Sequence, residues 1–185
     1  MAAEAPPGLP VRLLFQDEGR FGRISDLRRC WAPLPVRPVV SQQVVREYLY
    51  AYLAVCPFDG RCASLVLPWS DTPCMNLFLA HTAQIFPQEF CIMILDGAGW
   101  HGAADLELPP HLRLLTLPPY SPELNPVEHL WERLRENHFG NDVLPTLESV
   151  ADRLCLGIQD LIAHPEIVQR MTCFDWIRPL CMTSN

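Results

Sequence analysis

Three acidic residues stand where chemistry is expected. Asp17 follows the apolar run Val11–Phe15, Asp96 follows the apolar run Phe90–Leu95, and Glu128 falls in the first turn of a helix announced by Asn125-Pro126. Carboxylates with open lone pairs are what Mg²⁺ or Mn²⁺ requires, because hard divalent ions take oxygen ligands. Three of them from separate elements suffice for two ions about 4 Å apart, one activating an attacking oxygen and the other stabilising the leaving oxygen of a phosphodiester. Each residue also has a plainer explanation. An aspartate after a strand commonly closes a turn or caps a helix, and Asn125-x-x-Glu128 is a capping-box pattern that accounts for the glutamate without any metal. Geometry separates the two: either the three carboxyl groups meet, or Glu128 folds back solely onto the Asn125 backbone. The other candidates are weaker. His101 is a lone histidine, Trp100 and Trp131 read as packing residues, and Gly97-Ala98-Gly99 lacks the Lys-Ser/Thr of a phosphate-cradling loop.

The elements that must position these groups follow from pattern. Residues 1–10 are an Ala/Pro-rich lead-in, and Val11–Phe15 is a buried strand that places Asp17 at its C-terminal end. Residues 19–38, rich in glycine, arginine and proline, read as a long connection. Glu47–Cys56 and Cys62–Leu67 are strands of an antiparallel hairpin turned at Asp59-Gly60. A helix starts near Thr72 with Asp71 or Thr72 as N-cap and Pro73 at the first helical position. Phe90–Leu95 and His111–Leu117 are further strands, and Pro118, Pro119 and Pro122 end the second of them by removing ladder donors. The next helix takes Asn125 as N-cap, carries the apolar stripe Leu124, Val127, Trp131 and Leu134, and fades near Gly140-Asn141. A last long helix is expected over Thr146–Ile162, with a short one beyond Pro165. This order predicts an α/β domain with a central mixed five-stranded sheet and helices on both faces.

Composition narrows the classes. The chain has 185 residues, 49% hydrophobic and 19% charged, which suits one globular domain and is far from the signature of disorder. No apolar run is long enough to span a bilayer and the start resembles no signal peptide, so a cytoplasmic protein without membrane contact is expected. The eight cysteines have no zinc-site spacing and read as reduced thiols; Cys56 and Cys62 are the pair placed to meet across the hairpin. The net charge of −7 argues against a simple nucleic-acid binder. Only local groups, Arg20, Arg23, Arg28 and Arg29 or Arg133 and Arg135, are placed to touch a phosphate backbone.

Three blocks carry a family resemblance: Gln16-Asp17-Glu18-Gly19-Arg20-Phe21-Gly22, Leu95-Asp96-Gly97-Ala98-Gly99-Trp100-His101, and the run from Leu117-Pro118-Pro119-Tyr120-Ser121-Pro122 through Asn125-Pro126-Val127-Glu128-His129-Leu130-Trp131. In this order they resemble the catalytic blocks of DDE transposases of the Tc/mariner superfamily, bacterial insertion-sequence branch, over about residues 11–140. The resemblance implies an RNase H-like fold over residues 11–165 with 166–185 as an extension of the same domain, and a site of two Mg²⁺ or Mn²⁺ ions held by Asp17, Asp96 and Glu128. It further implies DNA endonuclease and strand-transfer activity on element ends and target DNA, normally by a homodimer. Where many relatives have Asp-Asn in the second block this chain has Asp96-Gly97, which retains the ligand.

Family transposases carry helix-turn-helix modules ahead of the catalytic domain. Only ten residues precede the first expected strand, so recognition of element ends is expected to lie in a separate polypeptide. The alternatives are an inactive transposase remnant, a partner-binding domain, or a stand-alone RNase H-like nuclease.

Overall fold

The structure is a computed structural model that describes residues 8–99 and 105–181; Trp100 and His101 lie outside them. Five strands, β1 (Val11–Ile24), β2 (Val44–Val55), β3 (Cys62–Leu67), β4 (Phe90–Leu95) and β5 (Leu112–Thr116), form one sheet in the order β3-β2-β1-β4-β5. β1 pairs antiparallel with β2 and β2 with β3, whereas β4 runs parallel to both β1 and β5. The expected mixed five-stranded sheet is present.

The sheet is covered on both faces. Helix α1 (Thr72–Ile85) packs Met75, Phe78 and Leu79 onto Leu14, Tyr52 and Met93. Helices α2 (Val127–Leu134), α3 (Leu147–Ala163) and α4 (Pro165–Thr172) bury Trp131, Val150, Leu154 and Val168 against Phe15, Leu53 and Ile94 on the other. The alternation along β1 therefore sends Leu14 to one core and Phe15 to the other, and Asp17 follows Phe15. The caps are as chemistry dictates. Asp71 accepts from the Cys74 N–H with Pro73 in the first turn, and Thr146 forms a capping box with Ser149 at the start of α3.

Two expectations need correction. β1 does not end before Asp17: it runs on to Ile24, paired with β2 from Phe15 onward with a register shift between Gly22 and Ile24, and with Asp17 opposite Leu53. Gly19 and Gly22 looked like the start of a connection, but they are strand residues where neighbours come close. A Cβ on Gly22 would lie 2.4 Å from the Glu47 carbonyl oxygen, and one on Gly19 2.9 Å from the Trp131 ring. What ends near Asp17 is the pairing with β4, whose last partners are Phe15 and Ile94. Cys56 and Cys62 are reduced thiols, as expected of the cysteines, but they do not meet across the hairpin. Cys62 pairs with Val55 in register and joins the core beneath α3, Cys56 joins the core beneath α1, and both are free thiols. The turn between them is as expected, with Gly60 at φ +72. Among the described residues no helix is long and apolar enough to cross a membrane.

Candidate active site

Asp17, Asp96 and Glu128 line one cleft of about 590 Å³ together with the proline turn Leu117–Pro122. Three different structural devices bring them there.

Asp17 sits on β1 just past the point where β4 stops pairing, and the alternation along the strand puts its side chain on the Phe15 face, towards α2. Its Oδ2 accepts a 2.7 Å hydrogen bond from the Trp131 indole Nε1. That indole is buried, and Gly19 two residues along β1 makes the space it occupies. Burial pushes the Asp17 carboxyl up to about 7; the Trp131 hydrogen bond pulls the other way, and the negative charges of Glu128 and Glu18 push it up further.

Asp96 is the first residue beyond β4, where the parallel ladder with β5 ends at Leu95 and Thr116. Its Oδ1 accepts from the Ala98 N–H at 3.0 Å, an Asx turn that carries the chain away from the sheet edge.

Glu128 is exposed in the first turn of α2, where the helix dipole favours a carboxylate. The turn before it is built by the prolines. A single 3₁₀ turn over Pro122–Leu124 follows Tyr120, which takes the left-handed φ of 57 on the cleft wall. Asn125 starts the helix, its Oδ1 accepting from the Val127 N–H. The reciprocal half of a capping box is not made, because the Asn125 N–H donates to the Pro122 carbonyl at 2.8 Å. The plain capping reading of Glu128 therefore lacks its defining bond.

Pattern reading missed two contributors. Trp131 reads from pattern as a packing residue, and in the structure it is also the hydrogen-bond donor to Asp17. Asn125 reads from pattern as a helix cap, and its Nδ2 also donates 2.9 Å to the Gln16 carbonyl, tying the start of α2 to β1 beside Asp17. The available signal was spacing: Trp131 lies three residues after Glu128, on a neighbouring helical position.

Among the described residues, no three His, Cys, Asp or Glu side chains are grouped closely enough to hold a metal ion. The carboxylates share the cleft without forming a closed ligand cluster.

The elevated Asp17 carboxyl has a consequence for stability. A group whose folded pKa lies above its unfolded value contributes stability that is fully present below the unfolded pKa, near 4, and is lost as pH rises towards 7. Asp17→Asn removes that loss. In metal-free buffer the variant should melt several degrees above wild type at pH 8, with the gap closing by pH 4, given roughly 2–4 °C per kcal/mol in a chain of this size. Thermal denaturation followed by circular dichroism reads it, and an identical gap at both pH values would contradict the burial argument.

A β3-β2-β1-β4-β5 sheet with acidic residues on its central strand, after the adjacent parallel strand and on the following helix defines an RNase H-like α/β domain. The chain belongs to the DDE superfamily of endonucleases, whose family model matches residues 12–151. It is 35% identical over 130 residues to the uncharacterized protein y4pE/y4sA of Sinorhizobium fredii, a match that covers 70% of this chain and 96% of that one. Its fold is similar to the Mos1 transposase paired-end complex with left transposon end, at a TM-score of 0.56 and 14% identity over 89% of this chain and 56% of that one. The mariner Mos1 paired end complex with Mg is similar at 0.53 and 17%, over 87% and 56%. The chain thus spans about half the length of these solved structures.

Proposed function

We propose that this chain is the catalytic domain of a DDE transposase of the Tc/mariner superfamily, in its bacterial insertion-sequence branch, which cleaves DNA and transfers strands with Mg²⁺ or Mn²⁺. The observation that carries the reading is the shared cleft: Asp17, Asp96 and Glu128, from three separate elements, face one space beside a buried indole. The donor set fits a hard divalent ion, since it is made of carboxylates alone. The electrostatics fit as well. Asp17 is partly stripped of water and repelled by Glu128 and Glu18, a penalty that a bound cation would relieve.

In this reading Asp17, Asp96 and Glu128 hold two ions, which when bound would activate the attacking oxygen and stabilise the leaving oxygen. The chain's own residues do the rest. Trp131 and Gly19 fix the Asp17 carboxylate, the Asx turn at Ala98 fixes Asp96, and Asn125 ties the helix of Glu128 to β1. The proline turn supplies further lining of the cleft. The Mg- and Mn-bearing Mos1 complexes of similar fold lend the metal assignment support. DNA as substrate, a homodimer as the active form and end recognition by a separate helix-turn-helix polypeptide belong to the same proposal.

The test is cleavage of duplexes with and without cognate terminal repeats, in Mg²⁺ or Mn²⁺ and in chelator. Metal-dependent cleavage that requires the repeats, followed by joining of the 3′ end, is expected. Metal-dependent cleavage indifferent to the repeats would instead define a stand-alone nuclease, and no cleavage with either metal would overturn the enzymatic reading.

A further inference from the structure

The basic residues of this acidic chain divide by what they touch. Arg23 is held by Glu47 and the Leu144 carbonyl, Arg28 by Asp26 and Glu132, and Arg133 by Asp160. Arg20 and Arg135 make no ion pair or hydrogen bond among the described residues. Each guanidinium lies instead over an aromatic ring, Arg20 at 4.7 Å from the Tyr48 centroid and Arg135 at 5.1 Å from that of Phe21. Stacking alone does not set them apart, because Arg12 and Arg61 both stack on Phe86; those two, however, spend their donors on Glu89. In Arg20 and Arg135 the ring fixes the plane of the fork while its N–H edge stays available, the arrangement suited to a phosphate.

Both arginines line a second cleft of about 420 Å³. Its two acids, Asp26 and Glu132, are both bound by Arg28, with Glu132 also feeling the Arg135 charge, and three arginines against two acids leave the cleft positive in a chain of net charge −7. Its position relative to the carboxylates follows from β1 and α2 running side by side in the same direction. Asn125 contacts Gln16, Trp131 contacts Asp17, Phe139 packs on Phe21, and Gly140 bridges Asp26 in parallel. The steps from Asp17 to Arg20 along the strand and from Glu128 to Arg135 along the helix therefore lead the same way; Arg20 enters the cleft from the Leu14 face of β1 and Arg135 from the face that carries Asp17 and Phe21, beyond the point where β4 stops pairing. Each covers roughly 10 Å, at about 3.3 Å per strand residue and 1.5 Å per helix residue.

We infer that the cleft of Arg20 and Arg135 binds the phosphodiester backbone of DNA, gripping the strand about three nucleotides from the bond to be broken, at about 3.4 Å per nucleotide. The assignment of that bond to Asp17, Asp96 and Glu128 rests on the function proposed above; the backbone contact itself does not need metal.

The test is binding of a short fluorescent duplex, measured by anisotropy in chelator over a salt titration, for wild type, Arg20→Gln, Arg135→Gln and the double variant. Each lost phosphate contact should lower the slope of log affinity against log salt by about 0.9, so the double variant should lose nearly two. Its affinity at low salt should fall at least about tenfold, with the melting midpoint unchanged. Arg20→Gln alters an exposed side chain and keeps the test open should Arg135→Gln fold poorly. A double variant with wild-type affinity and slope would overturn the inference, as would a wild type that binds no duplex. So would arginine Nε resonances that move with inorganic phosphate but not with duplex, which would mark a site for free anions. Failure of the catalytic reading looks different: no cleavage in metal, with the slope difference between wild type and double variant intact.

Discussion

Asp17→Asn, Asp96→Asn and Glu128→Gln should each lower metal-dependent DNA cleavage by about 10³-fold or more while leaving the far-UV circular dichroism unchanged. Charge stabilisation by a bound metal is worth several kcal/mol of transition-state energy, and about 1.4 kcal/mol corresponds to each tenfold in rate. Each substitution keeps the size and removes only the charge. Glu128 is exposed, so its replacement should change stability by less than about 0.5 kcal/mol. Asp17→Asn keeps an oxygen to accept from the Trp131 indole, so the packing of α2 on β1 survives. A readout independent of turnover is the rise in melting temperature that Mg²⁺ or Mn²⁺ gives by binding the folded state, which should shrink in all three variants. Full cleavage in any one of them would remove that residue from the site.

The second large effect concerns Trp131, which has two separable jobs. Trp131→Phe keeps an aromatic ring in the core but deletes the N–H that Asp17 accepts. Loss of a partner that orients a ligand typically costs 10–100-fold in metal affinity or activity, and a loss of about that size is expected at neutral pH. The direction with pH is also set. The Trp131 hydrogen bond pulls the Asp17 pKa down against burial, so its loss moves the carboxyl further up, and the acid limb of the pH–rate profile should shift to higher pH. Trp131→Ala additionally empties the space between Gly19, Phe21 and the helix, where the indole is 1% exposed. A cavity of that kind costs about 3–5 kcal/mol. A Trp131→Phe enzyme with a wild-type pH profile would reduce Trp131 to a packing residue.

Much of the fold was legible in the chain. β3 and β4 lie where their apolar runs lie, α1 begins at its Asp71 cap and Pro73, and the Asp59-Gly60 turn joins two antiparallel strands. These elements were readable because their signals are local: a turn residue with positive φ, a proline in a first helical turn, an uninterrupted apolar run. β1 was readable only in part. Its second half carries Gly19 and Gly22, which look like breakers, and their reason for being glycine lies in a Trp131 ring 112 residues away and in the backbone of the paired strand at Glu47. Helix α2 starts within two residues of its expected place, but it ends at Leu134 and passes into a π-helical turn over Arg135–Phe139 before Gly140, and its start is cross-linked to Gln16 through Asn125, a bond no local pattern announces.

The sequence by itself determined the elements, the faces they bury and three acidic residues at element boundaries, because backbone chemistry and hydrophobic periodicity act over a few residues. Only the tertiary structure decided that Asp17, Asp96 and Glu128 line one cleft, that Trp131 holds Asp17, and which arginines keep their donors for something outside the chain. Those outcomes depend on strand order, on where β4 stops pairing with β1 and on the parallel course of α2 along β1. They arise from packing between segments far apart in the chain, where the loss of water around Asp17 and the closeness of Trp131 first come into being.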